Sequence, residues 1–187
     1  MKETKNQKIP VQSMVFIAIF TALLAVFSQI AIPLPTGVPA TLQTFGVALV
    51  AYILKTKKAT VSILLYLLCG FVGIPVFSGF QGSPASFFSK TGGFLFGFIF
   101  MVILCGLASE TTILWKRLIL SALGLIACHV CGVLQFAFLM NLSILQSFLL
   151  VSLPFLLKDI LSIVFAFAFS KLVLKAIYQA GIYSTRS

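Results

Sequence analysis

The segment GGFLFGFIFMVILCGLAS, at positions 92–109, decides the fold class of this chain. It contains no charged side chain, and charged residues border it on both sides, Lys90 before it and Glu110 after it. A helix that crosses the hydrocarbon core of a bilayer needs about 20 predominantly apolar residues. The segment also lacks the alternation of apolar and polar residues that a membrane-spanning strand would show. It therefore predicts a transmembrane helix.

The composition of the whole chain has the same character. Its 187 residues are 60% hydrophobic and only 9% charged, with a mean hydropathy of +1.17, whereas soluble domains carry about 25% charged residues. Three acidic residues, Glu3, Glu110 and Asp159, are too few for a water-exposed surface. The net charge of +10 does not indicate nucleic-acid binding, because the cations lie between apolar runs rather than along one face. The composition indicates an integral membrane protein.

Charged residues and clusters of Pro and Gly divide the chain into six apolar segments. We predict an all-α integral membrane protein, a compact bundle of six transmembrane helices forming one membrane domain over residues 1–187. The predicted spans are about 13–32, 40–54, 59–75, 92–109, 118–140 and 156–176. The apolar stretch from Leu142 to Leu153, ended by Pro154, is interpreted as a short helix that lies in the interface or folds back against the bundle. The first run continues from Met14 to Ile32 without a clear cleavage site, so we expect a retained helix.

The positive residues predict the direction of these spans. If six helices alternate in direction, the opposite connections, at about 33–39, 76–91 and 141–153, contain only Lys90. By the positive-inside rule, both termini are expected in the cytoplasm of a multi-pass cell-membrane protein. Eleven of the thirteen cations then lie on one side: Lys2, Lys5, Lys8, Lys55, Lys57, Lys58, Lys116, Arg117, Lys171, Lys175 and Arg186.

Two motifs that suggest catalysis or cofactor binding fail on inspection. Ser89-Lys90-Thr91 resembles the end of a phosphate-binding loop, but Ser89 and Pro84 stand where that loop needs glycines. The segment 128–131, CHVC, offers three potential metal ligands on one helix, and a structural zinc site needs four. We interpret its cysteines as buried packing residues and His129 as a helix-packing hydrogen-bond partner, with a catalytic base as the alternative. No metal, cofactor or enzymatic activity is predicted.

The informative residues are the few that lipid should reject. Lys158 and Asp159 fall in the first turn of the sixth span, and ionisable groups at membrane depth normally face protein or a water-filled cavity. A simple salt bridge or helix cap is the alternative. The loops at 36–43 and 73–83, and the segment 90–93, are rich in Gly, Pro and polar residues and come from the same side. Irregular backbone of this kind is tolerated at membrane depth only where protein or water satisfies it.

These loops also carry four phenylalanines that we expect to form apolar walls: Phe77, Phe80, Phe87 and Phe88. A concave pocket with aromatic walls and a few convergent polar groups is the usual form of a ligand site. The residues alone therefore predict an outward-facing pocket for a small, partly apolar solute.

Small residues form two faces that permit close helix contact. Ala18, Ala22 and Ala25 form one on the first helix, and Gly93 and Gly97 form another on the fourth. Such faces pack within a chain or onto a partner. The pattern leaves both possibilities open.

Four segments resemble the BioY family, the biotin-specific substrate-binding components of energy-coupling-factor (ECF) transporters. GVPATLQ at 37–43 resembles its GVPxTLQ segment, and LYLLCG at 65–70 with GIPVF at 73–77 is similar to its LYLLLGxxGxPVF stretch. TGGFLFGF at 91–98 and LPFLLKD at 153–159 resemble its TGGYLxGF and PFxxxD segments. Their order, spacing and the six-span layout agree over nearly the whole chain.

The resemblance implies biotin as the ligand and a set of binding residues drawn from the matching motifs: Thr41, Gln43, Tyr66, Lys90, Thr91, Gly92, Lys158 and Asp159. In that interpretation, Asp159 accepts hydrogen bonds from the ureido N–H groups of biotin. Gln43 or Thr91 forms a hydrogen bond with the ureido oxygen or with the tail. A lysine holds the carboxylate. The chain has Lys90 where the family usually has Pro, and Ser162 where it commonly has Lys. Lys158 or Lys90 is hypothesised to supply that cation.

The resemblance also implies the partners. In the family, the Ala-xxx-Ala face of the first helix docks on a membrane-embedded coupling subunit, which holds two cytoplasmic ATPases, and Ala18, Ala22 and Ala25 fit that role. The loaded subunit is expected to topple in the bilayer, driven by ATP used elsewhere. The alternatives are a binding component for a different vitamin-like solute and a biotin transporter that works without coupling subunits.

Overall fold

The computed structural model of the chain describes residues 11–35 and 37–181. Helices dominate these residues: α1 Val11–Gln29, α2 Gln43–Phe71, α3 Gly92–Glu110, α4 Leu114–Met140, α5 Ile144–Val151 and α6 Leu153–Gln179. Among the described residues, α1, α3, α4 and α6 are long and apolar enough to cross a membrane. The prediction of an all-helical membrane protein is therefore confirmed. Glu3, Thr36 and the cations Lys2, Lys5, Lys8 and Arg186 lie outside the described residues.

Helix α2 contains a sharp reversal. Lys55 has a non-helical backbone, with φ 62 and ψ 177, which separates a first arm (residues 43–54) from a second arm (residues 56–71). Gln43 Nε2 donates to the hydroxyl of Tyr66 at 2.7 Å, although a continuous helix would place these residues about 34 Å apart. The two arms therefore lie antiparallel and side by side. The predicted spans 40–54 and 59–75 correspond to these arms, and a single non-helical residue replaces the loop between them.

The irregular segments collect at one end of the bundle, which we call the loop end. There the short strands β1 Ala31–Ile32 and β2 Ala40–Thr41 pair antiparallel, with Ala31 opposite Thr41. The segment 72–91 includes a 3-10 helix at Pro84–Phe88, and it is tied to α1 because Gln29 Nε2 donates to the carbonyl of Phe77 at 3.0 Å. Within the described residues, this strand pair and an isolated bridge between Phe77 and Gln81 are the β-structure in an otherwise helical fold.

The short helix α5 folds back against the bundle, the second of the two predicted arrangements. It begins at a capping box: the Ser143 side chain accepts from the backbone N–H of Gln146, whose side chain accepts in return from the N–H of Ser143. Ser147 and Val151 are completely buried. Ser152 then forms the junction between α5 and α6.

The interior consists mainly of the first arm of α2, which α1, α3 and α6 enclose. Val47, Ala48 and Ala51 have no exposed surface. On the other side of the bundle, the glycine face of α3 packs within the chain. A Cβ atom built at Gly97 would lie 2.7 Å from the Cα of Cys128, and one at Gly93 would collide with the carbonyl of Cys131. This glycine face therefore serves contact between α3 and α4.

Candidate functional site

A cavity of about 250 Å³ opens at the loop end, between the strand pair, the segment 72–91 and the first turns of α3 and α6. Six of the predicted binding residues line it: Thr41, Gln43, Lys90, Thr91, Lys158 and Asp159. They come from three separate parts of the chain, residues 41–43, 90–91 and 158–159, which the fold brings together at the loop end. The other two predicted binding residues, Tyr66 and Gly92, are buried behind the residues that line the cavity.

The charged centre of the cavity is Asp159, whose residue surface is only 5% exposed. One carboxylate oxygen, Oδ1, forms an ion pair with the ammonium of Lys158. That ammonium also donates to the backbone carbonyl of Thr41 at 2.8 Å. A buried carboxylate is costly unless it is paired and hydrogen-bonded, and here the cation and carboxylate stabilise each other beside the cavity. The salt bridge that the sequence analysis gave as the alternative is therefore formed. Its two residues, Lys158 and Asp159, also line the cavity.

The second carboxylate oxygen faces His129. Its Nε2 atom lies 3.3 Å from Oδ2 of Asp159, and its Nδ1 atom lies 2.8 Å from the hydroxyl oxygen of Ser152. The interpretation of His129 as a helix-packing hydrogen-bond partner agrees with this geometry. Sequence reasoning missed that its partner is the site carboxylate, because positions 129 and 159 are separated by two loops and a helix.

Gln43 is held by a chain of hydrogen bonds. Its Oε1 accepts from the hydroxyl of Thr41 at 2.9 Å, and its Nε2 donates to the hydroxyl of Tyr66 at 2.7 Å. Tyr66 is fully buried and in turn donates to the carbonyl of Val76 at 3.1 Å. Tyr66 therefore supports the site from behind and fixes the orientation of the Gln43 amide.

Lys90 is exposed at the mouth of the cavity. Lys90 forms no ion pair within the described residues, because the two ion pairs found there join Asp159 to His129 and to Lys158. The neighbouring Thr91 hydroxyl lies 3.0 Å from the hydroxyl of Ser89. The mouth thus presents one ammonium and two hydroxyls to an entering solute.

The segment 84–91 forms the rim of the cavity. Gln135 of α4, which sequence reasoning missed, holds this rim in place. Its Nε2 donates to the carbonyls of Phe87, at 2.7 Å, and Ser89, at 2.9 Å. Gly92 packs at the same place, because a Cβ there would collide with the Phe87 carbonyl and approach Gln135 Nε2 to 2.5 Å. No local pattern around position 135 distinguishes this amide from other polar residues of α4.

The predicted aromatic walls need correction. Phe77 lines the cavity, and Phe87 packs behind it edge-on at 5.6 Å between ring centroids. Phe80, in a turn, and Phe88, the last residue of the 3-10 helix, are each 73% exposed and do not line the cavity. Three rings that were not predicted take their place on the cavity surface: Phe94, Phe98 and Phe155.

The CHVC motif does not assemble a metal site. In the described part of the chain, no three or more His, Cys, Asp or Glu side chains come together in a way that would hold a metal ion. Cys128 is buried against α3, and all four cysteines are free thiols.

The alanine face of α1 lies on the outside of the bundle. Ala18 and Ala22 are exposed, and Ala25 is half-buried against the core. The larger residues Met14, Ile19 and Val26 flank them with more than half of their surface exposed. The face is therefore available for contact with lipid or another helix, and no helix of the described chain covers it.

Comparison with known proteins places this geometry among vitamin transporters. The model of the BioY family matches residues 1–179. The biotin transporter BioY2 of Lactococcus lactis is 35% identical over 181 residues, 96% of this chain and 99% of that protein. The biotin transporter BioY of Thermotoga maritima is 47% identical over 92 residues, which cover 49% of this chain and 54% of that protein. A solved structure, the S-component for biotin from an ECF-type ABC transporter, superposes with a TM-score of 0.78 at 27% identity and covers 93% of this chain and 95% of that one.

Proposed function

The chain belongs to the BioY family, and from this membership we propose that it is the substrate-binding component of a biotin transporter. It captures biotin from the outer side of the cell membrane and delivers it across the bilayer. The observation that carries the proposal is the cavity at the loop end, where a buried carboxylate, two amines and an amide meet aromatic walls. The names of the homologues describe a transporter rather than an enzyme.

Each part of biotin has a matching surface in the cavity. The ureido ring offers two N–H donors, which suit the acceptor-only carboxylate of Asp159. The ureido oxygen is an acceptor, and Gln43 or Thr91 supplies a donor for it or for the polar end of the tail. The apolar part of the valerate tail lies against Phe77, and the tail carboxylate meets an ammonium. Of the two candidate amines, Lys90 is the better one for that role, because Lys158 already pairs with Asp159.

We propose six membrane crossings, with both arms of α2 counted separately and with both termini in the cytoplasm. The described cations support this direction. Lys55, at the reversal of α2, and the segment 116–117, at the start of α4, lie at the end opposite the cavity, where the backbone N–H of Thr56 donates to Glu110. Lys171 also lies there, over the ring of Phe167 that Arg117 contacts. Among the cations that the structure describes, only Lys90 and Lys158 lie at the loop end, and this supports an extracellular position for that end.

Transport is proposed to need partners. The exposed Ala18 and Ala22, with Ala25 beside them, form the contact for a membrane-embedded coupling subunit that carries two ATPases. ATP hydrolysis in those subunits then drives the tilting of the loaded component. Transport of biotin without coupling subunits is the second possibility, and the exposed alanine face favours the first.

Measuring biotin binding to the purified chain tests the function. Radiolabelled biotin and equilibrium dialysis are suitable, whereas intrinsic tryptophan fluorescence is not. The single tryptophan, Trp115, lies about 30 Å from Gln135 along α4, at the opposite end from the cavity. Saturable binding that unlabelled biotin displaces and other water-soluble vitamins do not displace is the expected result. Displacement by a different vitamin would assign the chain to that solute, and absence of biotin binding would refute the proposal.

A further inference from the structure

His129 lies between a polar cavity and an apolar groove. On one side is Asp159, which lines the binding cavity. On the other is an apolar groove of about 1020 Å³ between α4, α5 and α6, where His129 and Ser152 are among the few polar linings. The His129 side chain is 8% exposed, and Ser152 is completely buried. The imidazole of His129 therefore lies between the site carboxylate and the apolar groove.

The arrangement of atoms selects one form of that imidazole. If Nδ1 carried the only hydrogen, the lone pair of Nε2 would face the negatively charged Oδ2 of Asp159 at 3.3 Å. That contact is repulsive. A doubly protonated ring would place a second cation beside a carboxylate that Lys158 already neutralises, in an apolar wall where unpaired charge is costly. The neutral ring with hydrogen on Nε2 avoids both problems, and Nδ1 then accepts from the hydroxyl of Ser152 at 2.8 Å.

We propose that His129 is a positioning residue for the binding cavity, which acts through Asp159 without contacting the ligand. Ser152 fixes the ring in the Nε2–H form, and this N–H holds Oδ2 while Lys158 holds Oδ1. The plane of the carboxylate is then fixed at both oxygens. The side chain of Thr44 also hydrogen-bonds to this carboxylate, which keeps acceptor capacity for an N–H group that enters from the cavity. Because Ser152 joins α5 to α6, the same hydrogen bonds tie the position of α5 to the geometry of the site. This inference rests on the proposed binding of biotin.

The first test compares two substitutions of different chemistry. The terminal amide nitrogen of glutamine reaches a position similar to that of histidine Nε2, so His129→Gln keeps a donor for Asp159, and His129→Leu removes it. Without this donor the carboxylate of Asp159 is no longer fixed for charge-assisted hydrogen bonds to the ligand, and the expected weakening of biotin binding is about 10- to 150-fold. We expect that loss in H129L and a change of no more than about threefold in H129Q. Equal losses in both variants, or full affinity in H129L, would overturn the proposal.

A matched control separates positioning from general damage to α4. Tyr52 and Ser121 share a buried hydrogen bond of 2.8 Å, and Ser121 lies on the same helix and lines the same groove as His129. Ser121→Ala removes a buried hydrogen bond without touching Asp159. We expect it to lower thermal stability in detergent and to leave biotin affinity unchanged. In an Asp159→Asn background, H129L should cause no further loss of affinity, whereas additive losses would contradict an action through Asp159.

A spectroscopic test does not depend on biotin. His129 is the single histidine of the sequence, so protein labelled with ¹⁵N-histidine and purified through a histidine-free tag gives one imidazole in an NMR spectrum. At neutral pH we expect a protonated Nε2 and an unprotonated Nδ1, and a shift toward mixed tautomers in Ser152→Ala. A protonated Nδ1 in the wild-type chain would overturn the inference. If biotin fails to bind while the Nε2–H form is observed, the proposed function fails and the link between His129 and Asp159 stands.

Discussion

Lys158 and Asp159 are consecutive residues of α6, yet their side chains meet in an ion pair. Consecutive positions on a helix point about 100° apart, and such neighbours do not normally face each other. Here the long lysine side chain reaches around the helix, and its ammonium is also held by the carbonyl of Thr41 in the strand pair. One ammonium therefore joins the carboxylate of α6 to the loop that follows α1.

This relationship predicts different outcomes for affinity and stability when Asp159 is changed. Asp159→Asn should weaken biotin binding by about 100-fold or more, because two charge-assisted hydrogen bonds to the ligand are lost. It should also lower the free energy of unfolding, because the ammonium of Lys158 is left half-buried without its partner. In the double variant Asp159→Asn, Lys158→Met, stability should recover while affinity stays low. Unchanged affinity in the single variant would remove Asp159 from the site.

The two lysines of the loop end should differ in their effect on the ligand carboxylate. Lys90→Gln should weaken the binding of biotin by about 5- to 10-fold, a surface-exposed contribution of about 1 kcal/mol, and leave that of biotin amide, which lacks the charge, unchanged. Lys158→Ala should weaken both ligands, because it disturbs Asp159. Equilibrium competition against radiolabelled biotin measures both. Full activity in each single variant and in the double variant would refute the role of either cation.

A bulky residue on the alanine face of α1 should separate binding from transport. Ala22 is exposed, so Ala22→Trp can be accommodated in the isolated chain but would block close approach of a coupling subunit. We expect energised biotin uptake by cells to be abolished and biotin binding by the purified variant to be retained. Leu172→Trp, on the exposed surface of α6 and away from the alanine face, is the matched control. Loss of both activities in A22W would indicate a folding defect instead.

The contact between α3 and α4 should not tolerate larger side chains. Because a Cβ at Gly97 would lie 2.7 Å from the backbone Cα of Cys128, Gly97→Val has to push the helices apart. Overpacking of this kind costs about 1–3 kcal/mol or more, and thermal unfolding in detergent should detect it as a lower Tm. Gly124→Ala is a milder comparison, because its nearest contacts begin at 3.3 Å. Equal stability of G97V and the wild type would show that the helices can separate at no cost.

Removal of the Gln135 amide should loosen the rim of the cavity. Gln135→Leu leaves the carbonyls of Phe87 and Ser89 without their donor, and each lost hydrogen bond contributes about 1 kcal/mol. We expect faster hydrogen exchange in residues 84–91 and weaker biotin binding by about tenfold. Exchange in the first arm of α2 should not change. Protection of residues 84–91 equal to that of the wild type would contradict the anchoring role.

The sequence was sufficient for the parts of this protein that depend on composition and order along the chain. Apolar segment length predicted the helical membrane fold, and the rarity of charge within spans singled out Lys158 and Asp159. It was insufficient where contacts depend on rotation of helices about their axes. The burial of His129 against Asp159 and the reach of Gln135 to the rim are set by how α4 packs on α3 and α6. The two outward phenylalanines, Phe80 and Phe88, were misassigned because the direction of a side chain in the irregular segment 72–91 cannot be read from the sequence.

The reversal at Lys55 also gives the proposed site a fixed inner wall. The first arm of α2 cannot move outward, because its residues fill the interior and its outer end is fastened by Gln43 to Tyr66. If the cavity holds a solute as proposed, we expect the exchange of that solute to depend on the partly exposed segment 84–91, which Gln135 holds, rather than on the first arm of α2.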